Sequence, residues 1–231
     1  MMISVCITTH NGERYIKDQI ESILYQLSQK DEIVISDDNS YDQTVSIIRS
    51  INDKRIRILN SNFSNLIKNI ENALNHSEGD IIFLADQDDV WLPNKVKICS
   101  EALKNNDLVV SDCYVTDSDL KIIHESFYKL TNYQTNKWKA LLRNPYLGCC
   151  MAFNRSVLQK SIPFPGNIPM HDIWIGNVAA FNFKVRFIPE KLIYYRRHGL
   201  NSSTASEPTK ASLFQQIKFR TSVIEGLMKL K

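Results

Sequence analysis

Three carboxylates follow an apolar run in the middle of the chain. Residues 81–84 are apolar, and Asp86, Asp88 and Asp89 lie among the next five residues. A strand that ends in clustered carboxylates presents hard oxygen ligands at the edge of a sheet, which suits Mg²⁺ or Mn²⁺ beside phosphate groups. The same pattern is typical of an acidic turn that caps a helix after Pro93. The stretch by itself does not choose between a metal site and a helix cap.

Polar residues also follow two earlier apolar runs. The run of residues 3–9 leads into Thr8-Thr9-His10, and the run of residues 32–36 is followed by Asp37-Asp38. In open α/β sheets, ligands bind outside the carboxyl ends of the strands, so convergence of these three ends predicts a nucleotide pocket. The turn after the first run has neither of the glycine-rich phosphate-binding patterns. A phosphate ligand here would therefore need a metal.

The elements that must position these residues alternate along the first half of the chain. Strands are predicted at residues 3–9, 32–36, 55–59, 80–84 and 107–112, and helices at residues 13–27, 44–51, 65–76 and 93–104. This alternation predicts an α/β fold with a mostly parallel central sheet and helices on both faces. The second half is less regular. Strands are expected at residues 120–123, 148–153, 184–188 and 191–195, and helices at residues 138–143 and from residue 170 onwards.

Composition excludes several classes of protein. The chain has 231 residues, 43% of them hydrophobic and 23% charged, with a formal net charge of +3. No dense Lys/Arg block is present, so nucleic acid is not an expected partner. Five scattered cysteines without a C-x-x-C pair indicate reduced thiols rather than a zinc site. No apolar run reaches the roughly 20 residues that span a bilayer. We expect a cytoplasmic protein that could lie peripherally at the inner face of the cell membrane.

Several segments in matching order resemble the inverting glycosyltransferases of family 2, which have the GT-A fold. They are Ser4 to Asn11, Ile35 to Thr44, Phe83 to Trp91 with a D-x-D motif at Asp86-Gln87-Asp88, and Met170 to Trp174. Within the family, the stretches Lys68 to Glu71, Ala85 to Trp91, His171-Asp172 and Tyr195 to Asn201 look most like bacterial rhamnosyltransferase-type members. The resemblance implies transfer of one sugar from a nucleotide-sugar donor, UDP- or dTDP-linked, to a glycan or lipid-linked acceptor. It also implies a smaller acceptor-side region beside the central sheet.

The resemblance assigns the donor site to the first half of the chain. Asp38 would accept a hydrogen bond from the base, and the other nucleotide contacts would come from Thr8, Thr9, His10, Lys68, Asp86 and Gln87. A divalent metal, Mg²⁺ or Mn²⁺, would be held by Asp88 with Asp86 in support, and would stabilise the departing diphosphate. Asp89 is expected to be a cap only. For Asp37-Asp38 the residues also predict an Asx turn that continues through Ser40, and we expect each carboxylate to take one of the two roles.

Inversion needs a general base opposite the leaving group, and Asp172 is our candidate. The alternative is that Asp172 only caps the helix that follows. His198, in Arg196-Arg197-His198-Gly199, is either a third metal ligand or part of a solvated basic turn. Arg197, His171 and Trp174 are candidates for contacts with the diphosphate or the acceptor, although a tryptophan in such a pattern is more often a core residue. The Pro- and Gly-rich residues 161–169 are expected to form a mobile loop near the site.

These assignments divide the chain into residues 1–112, which bind the donor, and residues 113–205, which bind the acceptor and carry the base. Residues 206–231 contain a predicted helix with Leu213, Ile217, Ile224, Leu227 and Met228 broadly on one side, and with Lys218, Arg220, Lys229 and Lys231 adding basic charge. Such a helix either packs on its own domain or lies on a membrane.

Two rival functions remain open at this point. The first is a non-catalytic module that binds a nucleotide-sugar or a glycan on the same fold, against which the intact Asp86, Asp88 and Asp172 argue. The second is a nucleotidyltransferase, but the turn His10-Asn11-Gly12 lacks the Gly-rich loop that such enzymes carry. The leading hypothesis is a metal-assisted, inverting glycosyltransferase that adds one sugar to a cell-surface glycan precursor.

Overall fold

Residues 3–9, the first apolar and β-branched run, form a strand that is buried over its whole length. The computed structural model describes residues 1–199 and 212–230. A strand buried on both faces needs cover on both sides, which agrees with the predicted α/β class. Our predictions for residues 200–211 and 231, including Leu200 and Asn201 of the resemblance and Lys231 of the last helix, lie outside the described residues.

Strands and helices alternate through the first half of the chain, as predicted. The strands are β1 (Ile3–Thr9), β2 (Glu32–Asp38), β3 (Ile56–Ser61), β4 (Ile81–Ala85), β5 (Val90–Trp91), β6 (Leu108–Thr116), β7 (Ile122–His124), β8 (Met151–Asn154) and β9 (Val185–Arg196). The helices are α1 (Ile16–Leu24), α2 (Thr44–Ser50), α3 (Leu66–Asn75), α4 (Lys95–Leu103), α5 (Phe127–Thr131), α6 (Lys137–Leu142), α7 (Arg155–Ser161), α8 (His171–Asn182) and α9 (Leu213–Lys229). A 3₁₀ turn covers Gly148–Cys150.

The strands of the described residues form one sheet in the order β3-β2-β1-β4-β8-β6-β9-β5, with β7 beside β6. β1 to β4 are mutually parallel. Because β8 runs antiparallel to both β4 and β6, these two strands share a direction, and β9 is parallel to β6. The sheet is therefore mostly parallel, as predicted.

The strand order reverses between β1 and β4. From β1 the chain moves outward through β2 and β3, and then returns to place β4 on the other side of β1. Thr9 aligns with Asp37, and Ile7 aligns with Ala85, so these three strands end at the same edge of the sheet. A crevice at such a reversal is where open α/β sheets bind ligands.

The second half departs from the sequence predictions in several places. The two strands expected at residues 184–188 and 191–195 form the single strand β9, which shifts register against β6 around Asp112. The short elements β5, α5 and α7 were not predicted. The expected boundary between donor and acceptor halves at residue 112 falls inside β6, so both halves share the sheet.

The C-terminal helix α9 is present as predicted, and its apolar residues differ in burial. Val223 is buried and Leu227 packs against the core, whereas Ile217, Ile224 and Met228 are exposed. Ser212 and Gln215 form a capping box at its first turn. In the part of the chain that the structure describes, no helix combines the length and the apolar character needed to cross a membrane.

Candidate functional site

A cavity of about 1020 Å³ opens at the edge where β1, β2 and β4 end. Loops after these strands form one wall, and the start of α8 with the chain after β9 forms the other. Ten of the predicted site residues line this cavity: Thr8, Thr9, His10, Asp38, Asp86, Gln87, Asp88, His171, Asp172 and His198. The cavity is thus lined by residues from both of the ranges, 1–112 and 113–205, that the sequence analysis separated.

The two carboxylates at the end of β2 have separate roles. Asp37 accepts hydrogen bonds from the backbone and hydroxyl of Ser40 and from the hydroxyl of Thr9, which is the predicted turn. Asp38 accepts hydrogen bonds from the backbone amides of residues 63, 64 and 65 and so holds the loop after β3 against the cavity. Asp38 therefore shapes the cavity wall in addition to facing the cavity.

Gln87 and His10 connect the loops after β4 and β1. The Gln87 side-chain oxygen accepts the His10 backbone N–H at 3.0 Å, and its amide nitrogen donates to the His10 carbonyl at 3.1 Å. A Cβ atom on Gly12 would lie 2.4 Å from the same Gln87 oxygen, so this close approach requires glycine. The His10 ring contacts the Asp38 carbonyl at 2.7 Å, which extends the connection to β2.

The acidic loop after β4 is not a helix cap. Helix α4 begins after Asn94, and no side chain caps its first turn. The predicted cap Asp89 is instead completely buried, and its Oδ1 accepts the backbone N–H of Arg196 at 2.9 Å. The prediction that Asp89 is a cap was wrong because the last residue of β9, Arg196, packs onto this loop.

Burial and mutual repulsion raise the pKa values of the three carboxyl groups in this loop. Burial, and then the charges of Asp88 and Asp172, raise the pKa of Asp86 to about 7. Burial also raises the pKa of Asp88, against the opposing effect of the hydrogen bond to His198. Burial together with the charges of Asp88 and Asp86 raises the pKa of Asp89 well above its ordinary value. Carboxylates crowded in this way are stabilised in their ionised form by a bound cation.

His198 reaches this loop from the end of β9. Its Nε2 lies 2.8 Å from Oδ2 of Asp88. The ring stacks on Tyr15, with centroids 4.9 Å apart and planes at 25°. The Arg196 guanidinium lies 4.4 Å from the Tyr15 ring centroid, and its Nε donates to the Asp88 carbonyl at 2.7 Å. The alternative of a solvated basic turn therefore does not describe His198.

The residues present fit a divalent metal. Carboxylate oxygens and a neutral imidazole are suitable ligands for Mn²⁺, and carboxylates alone for Mg²⁺. Asp88 and His198 converge, and the pKa of Asp86 responds to the charge of Asp88. Possible ligand atoms of Asp86, Asp89 and Cys149 also lie within 4.8 Å of one another. The thiol of Cys149 is a soft donor, so a hard cation would favour the carboxylates of this loop over it.

Asp172 lines the cavity from the first turn of α8. It does not act as the helix cap, because the capping position is Met170 and no side chain bonds there. Its Oδ1 accepts the backbone N–H of Ile173 at 2.7 Å. Burial raises the pKa of Asp172, while His171 and backbone amides including that of Gly148 oppose this rise. A carboxylate held in this way is a stronger base than an exposed one.

The 3₁₀ turn allows α8 to come close to this edge. A Cβ atom on Gly148 would lie 3.0 Å from Nε2 of His171 and 3.6 Å from Cβ of Asp172. His171 is buried beside the cavity, and burial lowers its pKa, so the neutral imidazole is favoured. Gly148 therefore permits the packing that places Asp172 at the cavity.

Three predicted site residues do not line the cavity. Lys68 is exposed on α3. The Arg197 guanidinium contacts Tyr195, which does line the cavity, with a hydrogen bond of 3.3 Å to its hydroxyl. Trp174 is completely buried and donates its indole N–H to the carbonyl of Ser161, which makes it a core residue and corrects its assignment to the acceptor site.

The loop after Ser161 also differs from its prediction. Phe164 and Ile168 are buried in the core, and no residue of the range 161–169 lines the cavity. The expected mobile cover is instead a packed segment. Met170, the next residue, is the first of this region to reach the cavity.

Sequence reasoning missed Tyr15 and the role of Arg196. Both depend on contacts between the first turn of the chain and the end of β9, and no local pattern indicates such a pairing. The aromatic residue just before the first helix and the paired arginines were visible, but both also suit ordinary surface positions. Only the tertiary fold distinguishes these roles.

Comparisons with known proteins agree with this geometry. The model of glycosyl transferase family 2 matches residues 4–162. WfgD of Escherichia coli, a UDP-Glc:alpha-D-GlcNAc-diphosphoundecaprenol beta-1,3-glucosyltransferase, is 28% identical over 190 residues, 78% of this chain and 73% of that protein. The dTDP-rhamnosyl transferase RfbG of Shigella flexneri is 32% identical over 120 residues, 47% of this chain and 39% of that protein.

The fold has solved counterparts as well. Residues 1–349 of S. aureus TarS in complex with UDP-GlcNAc match with a TM-score of 0.74 at 19% identity, over 97% of this chain and 66% of that one. The matches therefore cover 73% of WfgD, 39% of RfbG and 66% of the TarS fragment. The fold and the match over residues 4–162 confirm the resemblance seen in the sequence: this chain belongs to glycosyl transferase family 2 and has the GT-A fold.

Proposed function

We propose that the protein is a metal-assisted, inverting glycosyltransferase that moves one hexosyl or deoxyhexosyl unit from a nucleotide-sugar to a hydroxyl group of a cell-surface glycan precursor. The observation that carries this proposal is that Asp86, Asp88 and Asp172 all line one cavity, where the charge of Asp172 helps to raise the pKa of Asp86. Such an arrangement brings the groups that would hold a leaving diphosphate near a base that would receive a proton.

The donor side is assigned to residues 1–112. Thr8, Thr9, His10 and Asp38 line the part of the cavity at the ends of β1 and β2, where the base and ribose would bind. Gln87 is less free to meet the ribose than the sequence suggested, because its amide pairs with the His10 backbone. Its proposed role is to hold the two donor loops in register. The proposed donor is UDP- or dTDP-linked.

The leaving group needs compensation for its charge. Asp88, Asp86 and His198 would hold a Mg²⁺ or Mn²⁺ ion, and the bound ion supplies Lewis-acid stabilisation of the departing diphosphate. Arg196 fixes the backbone of Asp88 and the side chain of Asp89. The loop therefore keeps its carboxylates in place while the donor binds.

Asp172 is the proposed general base. The acceptor hydroxyl attacks the anomeric carbon, and its proton passes to the Asp172 carboxylate. The new C–O bond forms as the bond between the anomeric carbon and the phosphate oxygen breaks, and its electron pair leaves with the nucleoside diphosphate. Since attack and departure occur on opposite faces of the sugar, the anomeric configuration inverts. Positioned proton transfer of this kind contributes about 10²–10⁴-fold in rate.

The acceptor would bind in the half formed by residues 113–205, next to His171. The relative WfgD carries a lipid-linked acceptor in its name. We extend that class, a glycan precursor on a lipid diphosphate, to this chain, with a site of action on the cytoplasmic face of the membrane and a role in polysaccharide biosynthesis. The segment 206–231 is assigned to contact with a membrane or a partner.

The decisive experiment measures nucleoside diphosphate release from a panel of UDP-, dTDP- and GDP-sugars, with Mn²⁺, with Mg²⁺ and with EDTA. We expect one donor class to be consumed, and EDTA to abolish its consumption. NMR of the product with an accepted sugar should show the opposite anomeric configuration to the donor. Donor binding without turnover with any acceptor would instead favour the non-catalytic binding module.

A further inference from the structure

Two helices on the acceptor side of the molecule expose large apolar side chains. On α6, Trp138 and Leu142 are each 63% exposed. On α9, Ile217, Ile224 and Met228 are 50%, 42% and 69% exposed. Their spacing of 7 and 4 residues places the three α9 side chains on one face of that helix. We call the residues Trp138, Leu142, Ile217, Ile224 and Met228 the α6–α9 surface.

The two helices form one continuous region. The Arg220 guanidinium of α9 donates to the Leu142 carbonyl at the end of α6, at 2.9 Å. Both helices also pack against α8. The opposite face of α9 is already used for packing, since Val223 is buried and Gly226 contacts the ring of Trp174. The apolar residues of the α6–α9 surface are therefore a second apolar face that the core of the domain does not need.

Charge distinguishes this region from the rest of the molecule. Residues 136–143 and 212–230 contain six basic side chains, Lys137, Lys139, Arg143, Lys218, Arg220 and Lys229, and one acidic side chain, Glu225. The remaining chain has 22 basic and 24 acidic residues by difference from the totals of 28 and 25. The region thus carries more than the whole formal net charge of +3.

Exposed tryptophan and aliphatic side chains among basic residues match one partner in particular. An anionic bilayer offers phosphate groups to Lys and Arg, and an apolar boundary to side chains such as Trp138 and Met228. A second protein chain would match the apolar residues, but a copy of this chain would bring the same excess of positive charge to the contact. Charge complementarity therefore favours a lipid surface over self-association.

We propose that the α6–α9 surface binds the surface of an anionic lipid bilayer. This inference deepens the proposed function, because it places the protein where a lipid-linked acceptor would be. Gly226 of α9 contacts Trp174, two residues after the proposed base Asp172. The proposed bilayer-binding helix α9 thus packs against α8, the helix that carries the proposed base.

Vesicle flotation of the full chain tests the proposal. The wild type should float with vesicles of phosphatidylglycerol and phosphatidylcholine, should not float with phosphatidylcholine alone, and should be released by high salt. We expect the triple variant Trp138→Ser, Ile224→Ser, Met228→Ser to lose at least tenfold in bound fraction, and Lys218→Gln with Lys229→Gln to weaken binding mainly to the anionic vesicles.

Matched controls alter equally exposed side chains elsewhere. Tyr25→Ser with Ile123→Ser, and Lys30→Gln with Lys54→Gln, should float like the wild type. Equal losses in the control and test variants, or no flotation of the folded wild type, would overturn the proposal. A triple variant that changes only from dimer to monomer in sedimentation, with vesicle binding unchanged, would assign the surface to a second copy instead.

The outcome is separable from that of the proposed function. Donor turnover with a water-soluble acceptor should be the same in the triple variant and the wild type, because none of the changed side chains lines the cavity. Vesicle binding without turnover by either protein would leave the bilayer inference standing and reject the enzyme assignment. Turnover without vesicle binding would support the enzyme assignment and reject the bilayer inference.

Discussion

Nε2 of His198 lies 2.8 Å from Oδ2 of Asp88, although 110 positions separate the two residues in the sequence. The contact joins the loop after β4 to the chain after β9, and it brings the one nitrogen donor among the predicted ligands to the carboxylate that we propose as the main metal ligand. One part of the cavity wall is therefore formed by a segment far along the chain.

Replacement of His198 by Ala should weaken metal binding, either by removing a ligand or by removing the group that orients Asp88. Changes to such partners typically cost about 10–100-fold in metal affinity. Isothermal titration of the metal-free protein with Mn²⁺ measures this effect. His124→Ala is the matched control, since His124 is exposed on β7 and does not line the cavity. Equal affinities for both variants would remove His198 from the metal site.

Tyr15 should hold His198 in its working position. Its ring stacks on the imidazole with a centroid separation of 4.9 Å, and aromatic pairs of this kind contribute about 0.5–1.5 kcal/mol. We expect Tyr15→Leu to raise the Mn²⁺ dissociation constant and the donor KM by about 2- to 12-fold, with kcat less affected, and Tyr15→Phe to behave like the wild type. The exposed Tyr25→Leu serves as the control. A reduced kcat at unchanged metal affinity in Tyr15→Leu would contradict a positioning role.

The parallel half of the fold was predictable because its strands are short, apolar and separated by helices with clear periodicity. β1, β2 and β4 are buried over their whole length, and their patterns leave little choice of structure. The second half was less predictable, since β9 mixes buried, half-buried and exposed residues without a regular alternation and continues through Pro189. The two-residue strand β5 exists only because β9 pairs with it.

Local sequence patterns predicted the site residues only in part, as they did the fold. Residue type and order indicated Asp38, Asp86, Asp88, Asp172 and His198, all of which line the cavity. Local pattern failed for Asp89, because a buried acceptor of an Arg196 amide and a helix cap look the same in sequence. For Trp174 the pattern suggested a site residue, but the residue is part of the core, since an aromatic residue near a candidate base can have either role.

The pH dependence of transfer should report on Asp172. Burial raises its pKa, and a general base must be ionised, so activity should fall as the pH drops through a value above the ordinary aspartate range of about 3.9. Asp172→Asn should lower kcat by about 10²–10⁴-fold and flatten this acid limb, with donor binding retained. Asp119→Asn, an exposed carboxylate outside the cavity, should leave the profile unchanged. Undiminished transfer by Asp172→Asn would reject the assignment of the base.

Gly12→Ala should disturb the donor site without unfolding the protein. The new Cβ atom would lie 2.4 Å from the Gln87 side-chain oxygen, so Gln87 must leave the His10 backbone. We expect the donor KM to rise severalfold while the melting temperature stays within a few degrees, because a flexible side chain can move aside. Gly166→Ala is the matched control, as no atom lies within 4 Å of its added Cβ. Identical KM values for the two variants would show that the Gln87–His10 pair does not shape donor binding.

Without metal, Asp86→Asn should stabilise the fold at neutral pH. The pKa of Asp86 is raised to about 7, so between pH 4 and 7 the native state binds more protons than the unfolded state, and the contribution of Asp86 to stability is lost as the pH rises through 7. An asparagine side chain at this position does not ionise, so the variant does not lose stability in this way. The difference in melting temperature between variant and wild type should therefore grow from pH 5 to pH 8, by roughly 2–4 °C for each 1 kcal/mol gained.

Saturating Mn²⁺ should make the wild type more stable than Asp86→Asn. The wild type gains stability from metal binding as RT ln(1 + [Mn²⁺]/Kd), and the variant gains less. Differential scanning calorimetry with EDTA and with Mn²⁺ makes both comparisons on the same samples, and Asp119→Asn should follow the wild type throughout. If Asp86→Asn is destabilised equally at pH 5 and pH 8 in EDTA, the carboxylate does not carry the buried charge assigned to it. If it is stabilised at pH 8 but gains as much from Mn²⁺ as the wild type does, Asp86 is crowded by its neighbours without being a metal ligand, and Asp88 with His198 would hold the ion without it.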